Sequence, residues 1–159
     1  MPTLLLTLSG PLQAWGSRSR FSARTTEPAP TKSGVLGLLA AAKGVRRTEA
    51  LTDLVGLRFG VRSDQPGRVI RDFQTARSLD GRDSMPLSDR YMLADAVFLA
   101  ALESADRDFL ERIETHLRRP VFPLSLGRRA CPPAGPIPTE ILDDTIEAVF
   151  STAAWRAGP

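Results

Sequence analysis

The sequence predicts an α+β domain, and three observations carry that prediction. An apolar run at residues 3–9 is bounded by Gly-Pro, as a buried strand would be. Two segments, 30–44 and 106–119, carry helical spacing with a capping residue before them and a breaker after. Between them lie extended apolar stretches separated by turn residues. With 159 residues, 42% of them hydrophobic, the chain is one domain's worth and able to bury a real core.

The elements follow in order. TLLLTLS (3–9) is the first strand. Residues 10–30 hold three prolines and two glycines with no periodicity, which predicts a long loop, and long ordered loops in compact domains tend to be functional. PTKSGVLGLLAAAKG (30–44) is a helix capped by Thr31 or Ser33 and stopped by Gly44; Gly34 and Gly37 fit a helix that approaches its neighbour closely. A second short helical pattern covers Thr48–Leu54. LRFGVR (57–62) alternates, with Leu57, Phe59 and Val61 on one face. Asp64-Gln65-Pro66-Gly67 then predicts a turn, with RVIRDFQT (68–75) returning as hairpin partner. Residues 76–90 are polar and punctuated by Gly and Pro, a protruding loop. YMLADAVFLAAL (91–102) reads as one long strand, and Asp95 inside it has two readings, a buried acceptor paired with an arginine, which is favoured, or a sign that one face of the element is wet. Residues 106–119 form an amphipathic helix presenting Phe109, Leu110, Ile113 and Leu117. VFPLSLG (121–127) is the candidate last strand, 127–138 a proline-rich basic loop, and ILDDTIEAVF (141–150) a final helix.

This order is close to the split βαβ, or ferredoxin-like, arrangement. That architecture hosts many functions, among them RNA-binding modules that lay RNA on a sheet face.

Charge narrows the classes. The net charge is +3, but residues 1–92 carry 14 basic against 8 acidic side chains and residues 93–159 carry 7 against 10. Only Lys32 and Lys43 are lysines, so the positive charge is nearly all guanidinium, which suits bidentate phosphate contacts. A GC-rich genome explains the overall ratio equally well; the asymmetry is the better clue. Cys131 is the single cysteine, which excludes an internal disulfide or a cysteine metal site. No apolar stretch approaches the ~20 residues of a membrane span, and the N-terminal run lacks a signal-peptide flank, so a cytoplasmic protein is expected.

Catalytic groupings are sparse. His116 is the only histidine and sits on the amphipathic helix without a partner motif; Cys131 lacks a second histidine or cysteine and reads as a packed small residue. No P-loop or dinucleotide fingerprint is present, and neither metal nor cofactor is expected. What remains is anion binding. The helix start Thr31-Lys32-Ser33 offers free N–H groups, two hydroxyls and an ammonium. Arg58, Arg62 and Arg71 on the strands and the arginines of 18–24 and 76–90 suit a phosphate backbone.

Five segments resemble one family: GPLQAWG (10–16), PTKSGVLGLLAAAKG (30–44), VIRDFQTA (69–76), YMLADAVFLAALE (91–103) and PVFPLSLGRRACPPAGP (120–136). In family order and across most of the chain, they are similar to the CasD, or fifth Cas, family of the type I-E CRISPR complex Cascade. The resemblance implies a ferredoxin-like, RRM-like RAMP domain over 1–159 with a protruding thumb at 76–90, lacking the C-terminal portion usual in the family. It implies a non-catalytic subunit that grips the 5′ handle of the CRISPR RNA and caps the backbone. Its partners would be that RNA, the backbone subunit, the large PAM-reading subunit and, through the complex, target double-stranded DNA, with no membrane. Carried over by motif, Gln13, Trp15, Arg24, Thr31, Lys32, Ser33, Arg71, Arg128 and Arg129 would line the handle site, Arg18 and Arg20 would add charge, and Arg77 and Arg82 would reach phosphates from the thumb. Trp15 has two readings, stacking on a splayed base or packing beneath the loop. The family's hairpin histidine is replaced, since this chain reads Arg71-Asp72-Phe73-Gln74-Thr75. Two other readings compete: a metal-independent endoribonuclease that processes precursor CRISPR RNA, and a mainly protein-binding subunit with a weak RNA grip.

Overall fold

The computed structural model describes residues 1–16, 19–20 and 23–157. A four-stranded antiparallel sheet is built from β1 (Thr3–Ser9), β5 (Arg58–Gln65), β8 (Val97–Glu103) and β9 (Thr139–Leu142), in the order β5-β8-β1-β9. β1 and β5 each run antiparallel to β8, and β9 runs antiparallel to β1. The crossovers from β1 to β5 and from β8 to β9 therefore each join parallel strands across one intervening strand. The first carries α1 (Lys32–Lys43), and the second carries α3 (Arg107–Arg118).

α1 and α3 cover one sheet face. Leu4, Leu6 and Leu8 of β1 and Phe98, Ala100 and Leu102 of β8 point into a core shared with Val35, Leu38 and Leu39 of α1 and Leu110, Ile113 and Leu117 of α3. Both helices begin as their sequences direct. The Thr31 hydroxyl accepts from Gly34 N at 3.2 Å, and the Asp106 carboxylate accepts from Phe109 N at 2.9 Å. Gly44 ends α1 at φ +79, the left-handed cap for which glycine is suited.

The opposite sheet face is covered too. α4 (Ile146–Thr152) packs Ile146, Val149 and Phe150 on Leu5, Leu99 and Ala101. A Cβ on Gly60 would come within 2.7 Å of Ile146 Cγ2, so the bare backbone of β5 is what admits the helix. Polar clamps hold both ends. Glu103, 1% exposed, accepts from Ile146 N at 2.9 Å and pairs with Arg58 at 2.6 Å, and Arg58 also reaches Glu147 at 2.7 Å. Arg62 donates to the carbonyls of Phe150, Ala153 and Ala154 and pairs with Asp64, which accepts from Arg156 N at 2.7 Å. Arg58 and Arg62, expected to face phosphate, instead hold α4, and the sheet face expected to receive RNA carries that helix.

The segment 58–103 departs most from its sequence reading. β5 and β6 (Arg68–Gln74) do not pair; β5 pairs with β8, and β6 pairs with β7 (Ser88–Ala94) in a second sheet. The chain thus runs out along β5 and β6 and returns along β7 and β8 as one long bent hairpin. At the expected turn it bends without reversing: Gly67 takes φ +69, and the ladder register shifts between Ser63 and Gln65. The predicted single strand 91–102 bends at the same level, where Asp95 takes φ 56. Asp95 is exposed rather than a buried partner of an arginine, and its amide donates to Pro11 O at 3.2 Å. Aspartate tolerates the left-handed region better than most residues, which explains a carboxylate in an apolar run. Residues 75–87 form the exposed tip, closed by Met85 N to Ala76 O at 2.8 Å and Ser78 N to Asp83 O at 2.9 Å.

Other differences are smaller. Residues 10–30 contain short strands β2 (Leu12–Gln13), β3 (Ser19–Arg20) and β4 (Ala23–Arg24); β2 and β4 pair with β7. α2 is a single turn, Thr52–Val55. Residues 121–127 are irregular, and the last strand is β9, so α4 begins at Ile146, behind the N-cap Thr145. No helix among the described residues is long and apolar enough to cross a membrane.

Candidate nucleic-acid interface

The segment GPLQAWG folds inward. The Gln13 side chain, fully buried, donates to Leu8 O at 3.1 Å and Ala96 O at 2.8 Å and accepts from Trp15 Nε1 at 3.0 Å. Trp15 is 1% exposed and lies within the main core. The assignment of Gln13 and Trp15 as RNA-contacting side chains is therefore corrected: every polar atom of the Gln13 amide and the indole N–H is engaged inside the protein, and the ring offers no face to a base.

Trp15 instead organises what surrounds it. A Cβ on Gly34 of α1 would lie 2.8 Å from Trp15 Cε3. One on Gly127 would overlap the carbonyl of Ala14 and lie 3.5 Å from the same ring carbon, and Gly127 takes φ +90. Two glycines thus let the start of α1 and the 126–134 loop close on the indole. Backbone bonds fix the corner: Ala14 N to Leu126 O at 3.0 Å, Ala134 N to Ser9 O at 3.0 Å, and Glu27 N to Trp15 O at 2.7 Å.

Above this floor the sequence-predicted residues converge. Arg128 donates to Tyr91 O at 3.1 Å, Arg24 O at 2.8 Å and Thr25 O at 3.0 Å, so much of its fork is spent tying β4 and β7 to the loop. Burial, the largest influence, lowers its pKa from the ordinary value; Cys131 acts the other way, and the positive charges of Arg90 and Arg24 lower it further. Three guanidinium groups therefore share one neighbourhood. Arg90, which the sequence places among the arginines of the 76–90 loop, lies instead in β7. It pairs in register with Arg24 across the β4–β7 ladder, and directly paired residues share a face; only that register brings it beside Arg24 and Arg128. Arg129 is exposed and makes no side-chain bond among the described residues, and the same is true of the Arg24 guanidinium. Thr31 caps α1, Ser33 lies 3.4 Å from its hydroxyl, and Lys32 donates to Val55 O at 2.9 Å while remaining exposed.

The remaining predicted residues lie apart. Arg71 pairs with Asp89 at 3.0 Å and stacks on Phe73 with its guanidinium 4.3 Å from the ring centroid. Arg77 and Arg82 sit at the hairpin tip, Arg82 beside Asp80 at 3.6 Å. Arg20 lies in β3, where only its backbone is described, and Arg18 lies outside the described residues. Cys131 is fully buried; burial raises its pKa, with Arg128 opposing less strongly, so it is a packed thiol rather than a nucleophile.

Residues 3–156 match the family model described as CRISPR-associated protein (Cas_Cas5). The chain belongs to the Cas5 family. This Cas5 chain is 33% identical over 156 residues to the CRISPR system Cascade subunit CasD of Escherichia coli (strain K12), covering 84% of this chain and 68% of that one. A solved structure titled "Crystal structure of Cas protein" is 47% identical with a TM-score of 0.68. A chain of a "CRISPR RNA-guided surveillance complex" is 36% identical with a TM-score of 0.74. Each match covers 85% of this chain and 61% of the solved one, so this Cas5 chain spans about three fifths of their length.

Proposed function

We propose that this chain is a non-catalytic CRISPR RNA-binding subunit of a type I-E Cascade surveillance complex in the cytoplasm. It grips the 5′ handle of the RNA and caps one end of the backbone. The observation that carries this reading is the convergence of Arg24, Arg90, Arg128 and Arg129 with the start of α1 on the floor built by Trp15. Guanidinium groups with free donors beside helix N–H groups are matched to the phosphates of a single strand. In this reading the β5-β8-β1-β9 sheet is a ferredoxin-like RAMP fold, the hairpin of β6 and β7 is the thumb, and Arg77 and Arg82 meet phosphates from its tip. The backbone subunit and the large PAM-reading subunit are the protein partners, and target double-stranded DNA is met through the complex. A non-catalytic role is supported by the separation of the only histidine and the only tyrosine: His116 is on α3 and Tyr91 is on β7 of the second sheet. Cleavage at a 2′-hydroxyl needs a general base within reach.

The test is binding of the purified protein, alone and with its backbone subunit, to labelled CRISPR RNA with and without the 5′ handle, followed by a gel for cut products. Handle-dependent binding without cleavage is expected, lost in Arg24→Glu/Arg129→Glu. Cut products would place the protein among processing endoribonucleases. Absence of any handle preference would leave assembly through protein contacts as its role.

A further inference from the structure

Of the 17 arginines whose side chains are described, nine pair with a carboxylate or donate to a carbonyl. Arg46, Arg47 and Arg119 are among those that do neither: none of their guanidinium groups bonds to a described residue, and all three are exposed. They gather at the far end of α1 from the Trp15 corner, about 18 Å along a helix of 12 residues. There α1 and the segment after α3 are fastened together. Val121 N donates to Ala42 O at 3.0 Å and Phe122 N to Ala41 O at 3.1 Å, and a Cβ on Gly44 would lie 2.8 Å from Val121 Cγ1.

Cations commonly gather at helix C-termini to meet the unpaired carbonyls. For three carbonyls at the end of α1 that duty is already filled. Ala40, Ala41 and Ala42 accept from the backbone amides of Val45, Phe122 and Val121, and Arg118, in the last turn of α3, is neutralised by Glu114 at 2.9 Å. Glu49, the acidic neighbour of Arg46, spends an oxygen on the Arg46 amide at 3.1 Å rather than on its guanidinium. Phe122, whose amide meets the end of α1 at Ala41 O, is 40% exposed. Free guanidinium groups on segments that also carry an accessible aromatic ring make the pattern that holds single strands, charge for the phosphates and a ring face for a base.

We propose that the junction of Arg46, Arg47, Arg119 and Phe122 is a second, sequence-independent binding surface for single-stranded nucleic acid, separate from the handle site. The surface takes phosphate backbone and one stacked base.

The test uses full-length protein and a labelled oligouridine without handle sequence, titrated across salt concentrations. Arg46→Glu/Arg47→Glu/Arg119→Glu is expected to weaken binding more than tenfold at low salt. The slope of log K against log salt should fall by about 2, from roughly 0.7 per phosphate contact on a single strand. Phe122→Ala should weaken oligouridine binding with the slope unchanged. All four side chains are exposed, so both variants should melt with the wild type. The preference for handle-bearing RNA over handle-free RNA should survive the triple variant and collapse in Arg24→Glu/Arg129→Glu, which separates failure of this surface from failure of the handle site. An unchanged salt slope in the triple variant overturns the proposal. So does an equal loss on duplex DNA of the same length, or retention of oligouridine binding with loss of an acidic polypeptide instead.

Discussion

Trp15 decides between two physical roles, and substitution separates them. The indole is 1% exposed, and its N–H is the donor to Gln13 Oε1 at 3.0 Å. Trp15→Ala removes the whole ring from the core, a change of ~3–5 kcal/mol. Against a domain stability of ~5–15 kcal/mol that is roughly a fifth or more, so the variant is poorly suited to binding work. Trp15→Phe is the cleaner perturbation. It keeps most of the apolar volume but leaves Gln13 Oε1 buried without a donor, which costs about 1–3 kcal/mol. A stacking role would instead remove ~1–3 kcal/mol of RNA affinity and leave folding untouched. Urea denaturation of wild type and Trp15→Phe should show the midpoint falling with m unchanged. Handle-RNA affinity, measured where the variant remains folded, should change less than about twofold. A midpoint equal to wild type together with a large loss of RNA affinity would refute the burial argument and restore the stacking role.

Three further outcomes follow from the same structure. Gly37 is exposed within α1 with nothing within 4 Å of its missing Cβ, so Gly37→Ala should stabilise by roughly 1 kcal/mol; Gly34→Ala, whose Cβ meets Trp15 Cε3 at 2.8 Å, should lose more to overpacking, ~1–3 kcal/mol, than helix propensity returns, and thermal melts read the opposite signs. Burial works to raise the pKa of Asp64, but its hydrogen bonds from Arg62 and Arg156 and their charges together hold it below the ordinary value. The contribution to stability is therefore complete above the unfolded value of about 3.9 and is lost as pH falls through the lower native value; the fluorescence of Trp155, stacked 5.5 Å from Arg62, should report release of the C-terminal segment in that acidic range and should not titrate there in Asp64→Asn. Arg128→Lys keeps the charge but cannot bridge the carbonyls of Tyr91, Arg24 and Thr25 together, so the melting midpoint should drop by the equivalent of about 1.5–3 kcal/mol, whereas an unchanged midpoint would show that the fork holds nothing.

How much of this was legible in the sequence differs by element. Thr31, Asp106 and Gly44 mark helix ends because capping is local chemistry, satisfied within three or four residues. The pairing of β6 with β7 rather than β5 was not legible. Asp-Gln-Pro-Gly carries strong turn signals, but whether such a stretch reverses a chain or merely bends it depends on the strand alongside, and Asp95 supplies the matching bend 28 residues later. The break between β9 and α4 was hidden because TEIL is a short apolar stretch whose strand character comes from pairing with β1. At the candidate site, the arginines of 24, 128 and 129 were found by type and motif. Arg90 was placed only by register, and the burial of Gln13 and Trp15 was set by glycines on two distant segments that a one-dimensional reading cannot bring together.

The paired bend at Gly67 and Asp95 has a mechanical consequence. Both strands of the β6–β7 arm change direction at one level, and β2 and β4, paired with β7, brace the arm on the near side of its tip. The space a side chain would need at Gly67 is filled by the carbonyl of Ala94 and by Ala96, so a hard stop backs the hydrogen bonds of Asp95 N to Pro11 O and of Gln65 Nε2 to Asp95 O in setting the root angle. A load on residues 75–87 is delivered along the arm as torque at that root. Where the tip points is therefore decided not by the polar residues that form it but by the bend and the bracing strands at the opposite end of the beam.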